Sequence, residues 1–129
     1  MFKPITAFSG FSVSDLAATK AFYHETLGLE VKQDEMGLQL QVSGEATVFI
    51  YENENHQPAT FTILNLVVAN IDESITELAG FGVKFEQYHD ENMPQDDKGV
   101  LRGLSAGMGP DIAWFKDPSG NIISILQDK

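Results

Sequence analysis

Cysteine is absent from this 129-residue chain. There is therefore no disulfide framework, no thiolate metal site and no cysteine nucleophile. Arginine occurs once, at Arg102, and lysine and arginine together number 8 against 19 acidic residues, for a net charge of −11. A nucleic-acid binder needs clustered basic residues to displace counterions from phosphate. Here they are scattered, so nucleic acid and anionic membranes are not expected partners. No apolar run approaches the length of a membrane span. The opening MFKPITAF lacks the long apolar core of a signal peptide, and a cytoplasmic protein is expected. Tryptophan occurs once, at Trp114, and histidine three times, at His24, His56 and His89.

What is present suits one globular domain. Hydrophobic residues make up 43% of the chain and charged residues 21%, ordinary values for a protein with a buried core. The acidic excess is most simply a solubility feature.

The clearest local signal is DIAWFKDPSGNIISILQ, residues 111–127. Two apolar runs, Ile112–Phe115 and Ile122–Leu126, flank Asp117-Pro118-Ser119-Gly120-Asn121. Pro118 presets φ, Gly120 permits positive φ, and the Asp and Asn side chains can bond nearby backbone. The runs are rich in β-branched and aromatic residues, so the stretch predicts a β-hairpin.

In chain order, Thr6–Val13 reads as a strand. Ser14-Asp15 offers an N-cap for a helix over Leu16–Leu27, whose apolar face carries Leu16, Tyr23 and Leu27. Gly28 suits its end. Val31–Gln33, Leu38–Val42 and Thr47–Glu52 read as strands, with turns at Met36-Gly37 and Ser43-Gly44-Glu45. Glu52–Thr60 is a polar connector. The pattern then restarts. Phe61–Val68 reads as a strand, and Asn70 with Glu73 as a capping-box variant. A helix carrying Ile71, Ile75 and Leu78 ends at Gly80 and Gly82. Val83–Tyr88 reads as a strand, His89–Asp97 as a loop, Gly99–Ser105 as a short strand and Ala106–Pro110 as a turn.

The order strand, capped helix, glycine, strand thus occurs twice. Val13 aligns with Val68, Leu16 with Ile71, and Gly28 with Gly82 after a one-residue deletion. Pattern alone also allows a single-module α+β sandwich with an accidental likeness.

The stretches VSDLAATKAFYHETLGLEV and WFKDPSGNIISILQ resemble the opening and closing motifs of the vicinal oxygen chelate superfamily. It includes glyoxalases, bleomycin-resistance proteins and extradiol dioxygenases. The resemblance implies an α+β fold of two β-α-β-β-β modules forming a cupped, eight-stranded mixed sheet with helices outside. It implies one domain over residues 1–129, made of module 1 (1–55) and module 2 (59–129), and a homodimer, as many members form.

Enzymes of the superfamily usually hold a divalent metal that polarises vicinal oxygens of the substrate. Carried over residue by residue, the ligand positions fall on Phe8, Ile63 (within one residue of register), Ser124 and a place near Phe49. Phe and Ile cannot ligate a metal, and one serine hydroxyl is a poor ligand. No metal and no cofactor is therefore expected. The ligand-binding candidates are Phe8, Phe49, Tyr51, Ile63, Trp114 and Ser124.

For Trp114, packing between sheet and helix and an aromatic wall against a ligand both remain open. Tyr51 shares strand parity with Phe49. Arg102 could pair an acidic ligand but reads more simply as a surface charge. His24 and His56 read as solvated. His89-Asp90-Glu91 could bind a metal only against strand geometry, and no Ser-His-Asp triad can be read from spacing. The loops holding Met93 and Met108 could form a lid or a core plug.

Three functions follow. The first is a metal-independent small-molecule binding protein of sequestration type. The second is a lyase- or dioxygenase-type enzyme with atypical or absent metal. The third is an interaction module whose cup is filled.

Overall fold

The computed structural model describes residues 1–44 and 46–129. Glu45, in the expected 43–45 turn, lies outside the described residues. Among the described residues the fold is α+β, with eight strands in two mixed four-stranded sheets. The chain divides into two compact units, Met1–Pro58 and Ala59–Lys129.

The first unit runs β1 (Ser9–Val13), α1 (Leu16–Lys20), β2 (Glu30–Gln33), β3 (Leu38–Ser43) and β4 (Ala46–Glu52). Its sheet order is β1-β4-β3-β2, with β1 parallel to β4 and the other pairs antiparallel. The first strand is shorter than expected. It starts at Ser9, and Phe8 lies outside it, 72% exposed. Asp15 caps α1 by accepting from the Ala18 amide at 3.0 Å. The expected α-helix over Leu16–Leu27 changes type midway. Ala21–Thr26 is a π-helix, in which the Leu27 amide bonds the Phe22 carbonyl five residues back. Tyr23, fully buried, lies there against Phe22 and Phe11 at ring separations of 5.3 and 6.1 Å. Gly28 follows at φ 72, a conformation that disfavours side chains with a Cβ.

The second unit runs β5 (Thr62–Val67), α2 (Ile71–Gly80), β6 (Leu101–Arg102), α3 (Gly103–Ala106), β7 (Asp111–Lys116) and β8 (Ile122–Gln127), in sheet order β5-β8-β7-β6. Asn70 caps α2 by accepting from the Glu73 amide at 3.0 Å.

The internal repeat extends to single hydrogen bonds. Gly10 pairs with Phe49 as Asn65 pairs with Ser124. The Leu16 amide donates to Glu52 Oε2 as the Ile71 amide donates to Gln127 Oε1, both at 2.9 Å. In each unit the last strand thus satisfies an amide in the first turn of the helix, where the helix itself supplies no acceptor.

Two expected strands are corrected. Val83–Tyr88 is not in a ladder. It makes one strand-like bond, Glu86 amide to Trp114 carbonyl at 2.8 Å. The Val83 amide turns back to the Leu78 carbonyl at 3.0 Å, and the Tyr88 amide and Glu86 carbonyl bond a side chain. Gln95 accepts from the Tyr88 amide at 2.8 Å and donates to the carbonyls of Glu86 and Gly99 at 2.9 and 2.7 Å. The expected strand over Gly99–Ser105 shrinks to Leu101–Arg102, because Gly103–Ala106 turns into the short α3. Gly103 allows that turn. A Cβ there would lie 2.3 Å from the Pro110 carbonyl oxygen.

Replacing Gln95 by leucine is expected to lower stability by about 1–3 kcal/mol, since it strips partners from half-buried backbone groups. Urea denaturation measures this. A change below about 0.5 kcal/mol would mean water replaces those bonds without cost.

Candidate functional site

Side chains alternate across a strand, so the hairpin has two faces. Its register sets Ala113 opposite Ile125, Phe115 opposite Ile123, and Trp114 opposite Ser124. Ala113, Phe115, Ile123 and Ile125 are buried, as are Ile71 and Ile75 of α2, which packs on β8. The other face carries Trp114, Ile122 and Ser124, joined by Thr62 and Asn65 of β5 through the pairs Thr62–Ile122 and Asn65–Ser124.

A cavity of about 530 Å³ opens on this second face, lined by Thr60, Phe61, Thr62, Tyr88, Asp90, Met93, Trp114 and Ile122. That size suits a small organic ligand, as do apolar walls with a few polar groups. Trp114 is oriented by a bond from Nε1 to Thr62 Oγ1 at 3.1 Å. Tyr88 meets it edge-on, with ring centres 5.6 Å apart and planes at 73°. Burial, with the Glu86 charge adding, pushes the Tyr88 phenol above its ordinary value. It is therefore a neutral hydroxyl at physiological pH.

The other candidates separate. Phe8 and Phe49 line a smaller cavity of the first unit, about 200 Å³, with Thr6, Ala7, Gln39 and Thr47. Tyr51 stacks on Phe49 at 5.9 Å and 19°. Ile63 lies half-buried where the ladder shifts register between Thr62 and Leu64. Thr62, not Ile63, is the β5 residue bonded to Trp114. Ser124 is buried and donates from Oγ to Asn65 Oδ1 at 2.6 Å.

These side chains do not fit a metal of the kind the resemblance implies. Two phenyl rings and a sec-butyl group offer no donor, and the one hydroxyl already bonds Asn65. Among the described residues, no group of three or more His, Asp or Glu could hold a metal ion.

His56 departs from the solvated reading. It is half-buried, with Nδ1 2.6 Å from Ser12 Oγ, which ties the connector to β1. His24 is exposed, with Nδ1 2.9 Å from the Leu29 carbonyl. His89 is exposed at φ 54. Met108 is exposed and Met93 lines the larger cavity, so neither plugs the core.

Arg102 is committed within the protein. It forks onto Asp72 with bonds of 2.7 and 3.1 Å, bonds Asp96 at 3.0 Å and lies 3.6 Å from Asp111. The Arg102 hydrogen bonds hold the Asp72 carboxyl at about 2, below its ordinary 3.8, against the opposing effect of burial. Burial pushes Asp96 up, but the Val100 amide, Arg102 and the Lys98 amide together bring it below the ordinary value. A depressed carboxyl stabilises the fold above its unfolded value, and the gain is lost as pH falls through its folded value. Asp72→Asn is therefore expected to cost about 1 kcal/mol at neutral pH, discounted for solvent screening. The difference from wild type should close as pH falls from 3.8 to about 2. Denaturation at several pH values measures it. A difference unchanged over that interval would contradict the ion pair.

The sequence pattern of the Glyoxalase/Bleomycin resistance protein/Dioxygenase superfamily matches residues 6–125. The chain belongs to this superfamily. No curated protein matches this member. Its fold recurs in solved structures. The antibiotic-binding protein TnmS3 of a Streptomyces species is 22% identical, with 99% of this chain and 100% of that chain covered and a TM-score of 0.65. A glyoxalase family protein of Enterococcus faecalis is 23% identical, with 98% and 99% covered and a TM-score of 0.66. The fosfomycin resistance protein FosX of Listeria monocytogenes is 14% identical, with 100% and 96% covered and a TM-score of 0.68. At these identities the likeness shows the fold alone. No helix of this superfamily member, among its described residues, is long and apolar enough to cross a membrane.

Several lining residues were not read from the sequence as site residues. Thr62 was hidden by the register shift in β5. Tyr88 and Asp90 were assigned to an expected strand and loop. The only available signal was the cluster of an aromatic, a carboxylate and Met93 within six residues.

Proposed function

We propose that this superfamily member is a metal-independent small-molecule binding protein of sequestration type, with its site in the Trp114 cavity. The observation that carries the reading is the aromatic cavity on the face of the hairpin away from α2. It has apolar walls and the threonine hydroxyls, phenol and carboxylate as its polar groups. Fold relatives described as antibiotic-binding and fosfomycin-resistance proteins lend analogy. Phe8, Phe49 and Tyr51 offer a further aromatic surface within the first unit. The proposal takes the working form to be a cytoplasmic homodimer, whose mass light scattering tests.

The decisive experiment is a thermal-shift survey of planar metabolites and antibiotics, run with and without chelator, beside metal analysis of the purified protein. Ligands that raise the Tm equally in both conditions are expected. Stoichiometric zinc, nickel, manganese or iron, whose removal abolishes a measurable turnover, would establish the enzyme reading instead.

A further inference from the structure

We infer that the Trp114 cavity selects planar aromatic cations and rejects anions, with Asp90 setting the sign of the charge it accepts. The inference rests on the binding reading above and adds to it the class of ligand.

Three observations converge. First, among the described residues the formally charged one in the lining is Asp90, and no lysine, arginine or histidine lines the cavity. An anionic ligand would lose its hydration and meet a carboxylate in return, which is unfavourable. Second, the Asp90 carboxylate is positioned by its own turn. Oδ1 accepts from the Asn92 amide at 2.8 Å, and the Asp90 carbonyl accepts from the Met93 amide at 3.0 Å. His89, at φ 54, starts this turn in the left-handed region. Among the described residues, Oδ2 takes no protein hydrogen bond. Third, Trp114 and Tyr88 meet at 73° and are not stacked on each other. A tilted pair leaves ring face uncovered, and the face of an aromatic ring is its negative side, which attracts cations. The net charge of −11 draws cations toward the protein in the same sense.

The remaining polar groups agree with this assignment. The Tyr88 phenol, ordinarily neutral at physiological pH and shifted further up by burial, adds no second charge. Thr62 accepts the indole N–H through its hydroxyl oxygen, which fixes the ring and adds no charge. Arg102, the sole arginine, is held by Asp72 and Asp96 and does not line the cavity.

One ring system at three charges tests it. N-methylacridinium is cationic, acridine is neutral in mildly alkaline buffer, and acridine-9-carboxylate is anionic. Equilibrium dialysis with the full chain gives each affinity, and the fluorescence of the lone tryptophan reports engagement of the site. N-methylacridinium is expected to bind about tenfold more tightly than acridine, and the carboxylate more weakly than either. Asp90→Asn keeps the oxygen that accepts from Asn92. It should lower cation affinity about tenfold while leaving acridine unchanged. Added salt should weaken the cation selectively.

Equal affinities for all three probes, or no effect of Asp90→Asn, would overturn charge selection and leave the binding reading standing. Failure of all three to bind overturns this inference also. The separate thermal-shift survey then decides whether the cavity binds small molecules of another class.

Discussion

Phe115→Ala is expected to remove about 3–5 kcal/mol of stability. Phe115 is 0% exposed and packs edge-on against Phe85, with ring centres 5.7 Å apart and planes at 74°. Its cross-strand partner Ile123 is equally buried. Truncation removes the transfer gain of a phenyl ring and leaves a hole that β7, held on both sides, cannot close. Domains of this size are stable by only about 5–15 kcal/mol, so the loss is a large share of the total. Urea denaturation gives the value. A loss under about 1 kcal/mol would mean that this face of the hairpin is not close-packed.

Trp114→Ala, one residue earlier, should behave in the opposite manner. Its side chain lies on the other face, half-exposed, and lines the cavity. The fold should lose less than it does in Phe115→Ala, while affinity for N-methylacridinium should fall about 30-fold or more. Truncating a central aromatic anchor typically costs 2 kcal/mol or more of binding. Calorimetric titration measures the loss, and Trp114→Phe should recover part of it by restoring a ring without the bond to Thr62. Binding undiminished in Trp114→Ala would place the site elsewhere, whatever the variant's stability. The adjacent pair thus separates packing from recognition by strand parity alone.

The regular parts of the fold were legible in the sequence because local chemistry determines them. Asp15 and Asn70 cap the helices as their side chains suggest, and the hairpin pairs around Asp117–Asn121. Gly28 and Gly82 adopt positive φ where the helices end. The alignment of Val13 with Val68 and Leu16 with Ile71 reflects two units with the same strand order and matching ladder register. The π-helix at Ala21–Thr26 was not legible. Its apolar spacing resembles that of an α-helix, and the choice between hydrogen-bond partners four or five residues back leaves little trace in composition.

Residues 83–102 failed for a different reason. Val83–Tyr88 alternates well enough to suggest a strand, yet the side chain of Gln95 captures the bonds a ladder would have made. Side-chain capture of backbone groups by a residue seven to nine positions on has no periodic signature.

The amino-acid sequence by itself determined the superfamily and the doubled unit. These follow from residue identity and short-range spacing. Only the tertiary structure decided that Thr62 bonds Trp114, and that Tyr88, Asp90 and Met93 share its cavity. A one-residue shift in a parallel ladder and the bond that ties the Glu86 amide to the Trp114 carbonyl bring them together. Neither can be read before the strands have paired, because both depend on contacts between residues far apart in the chain.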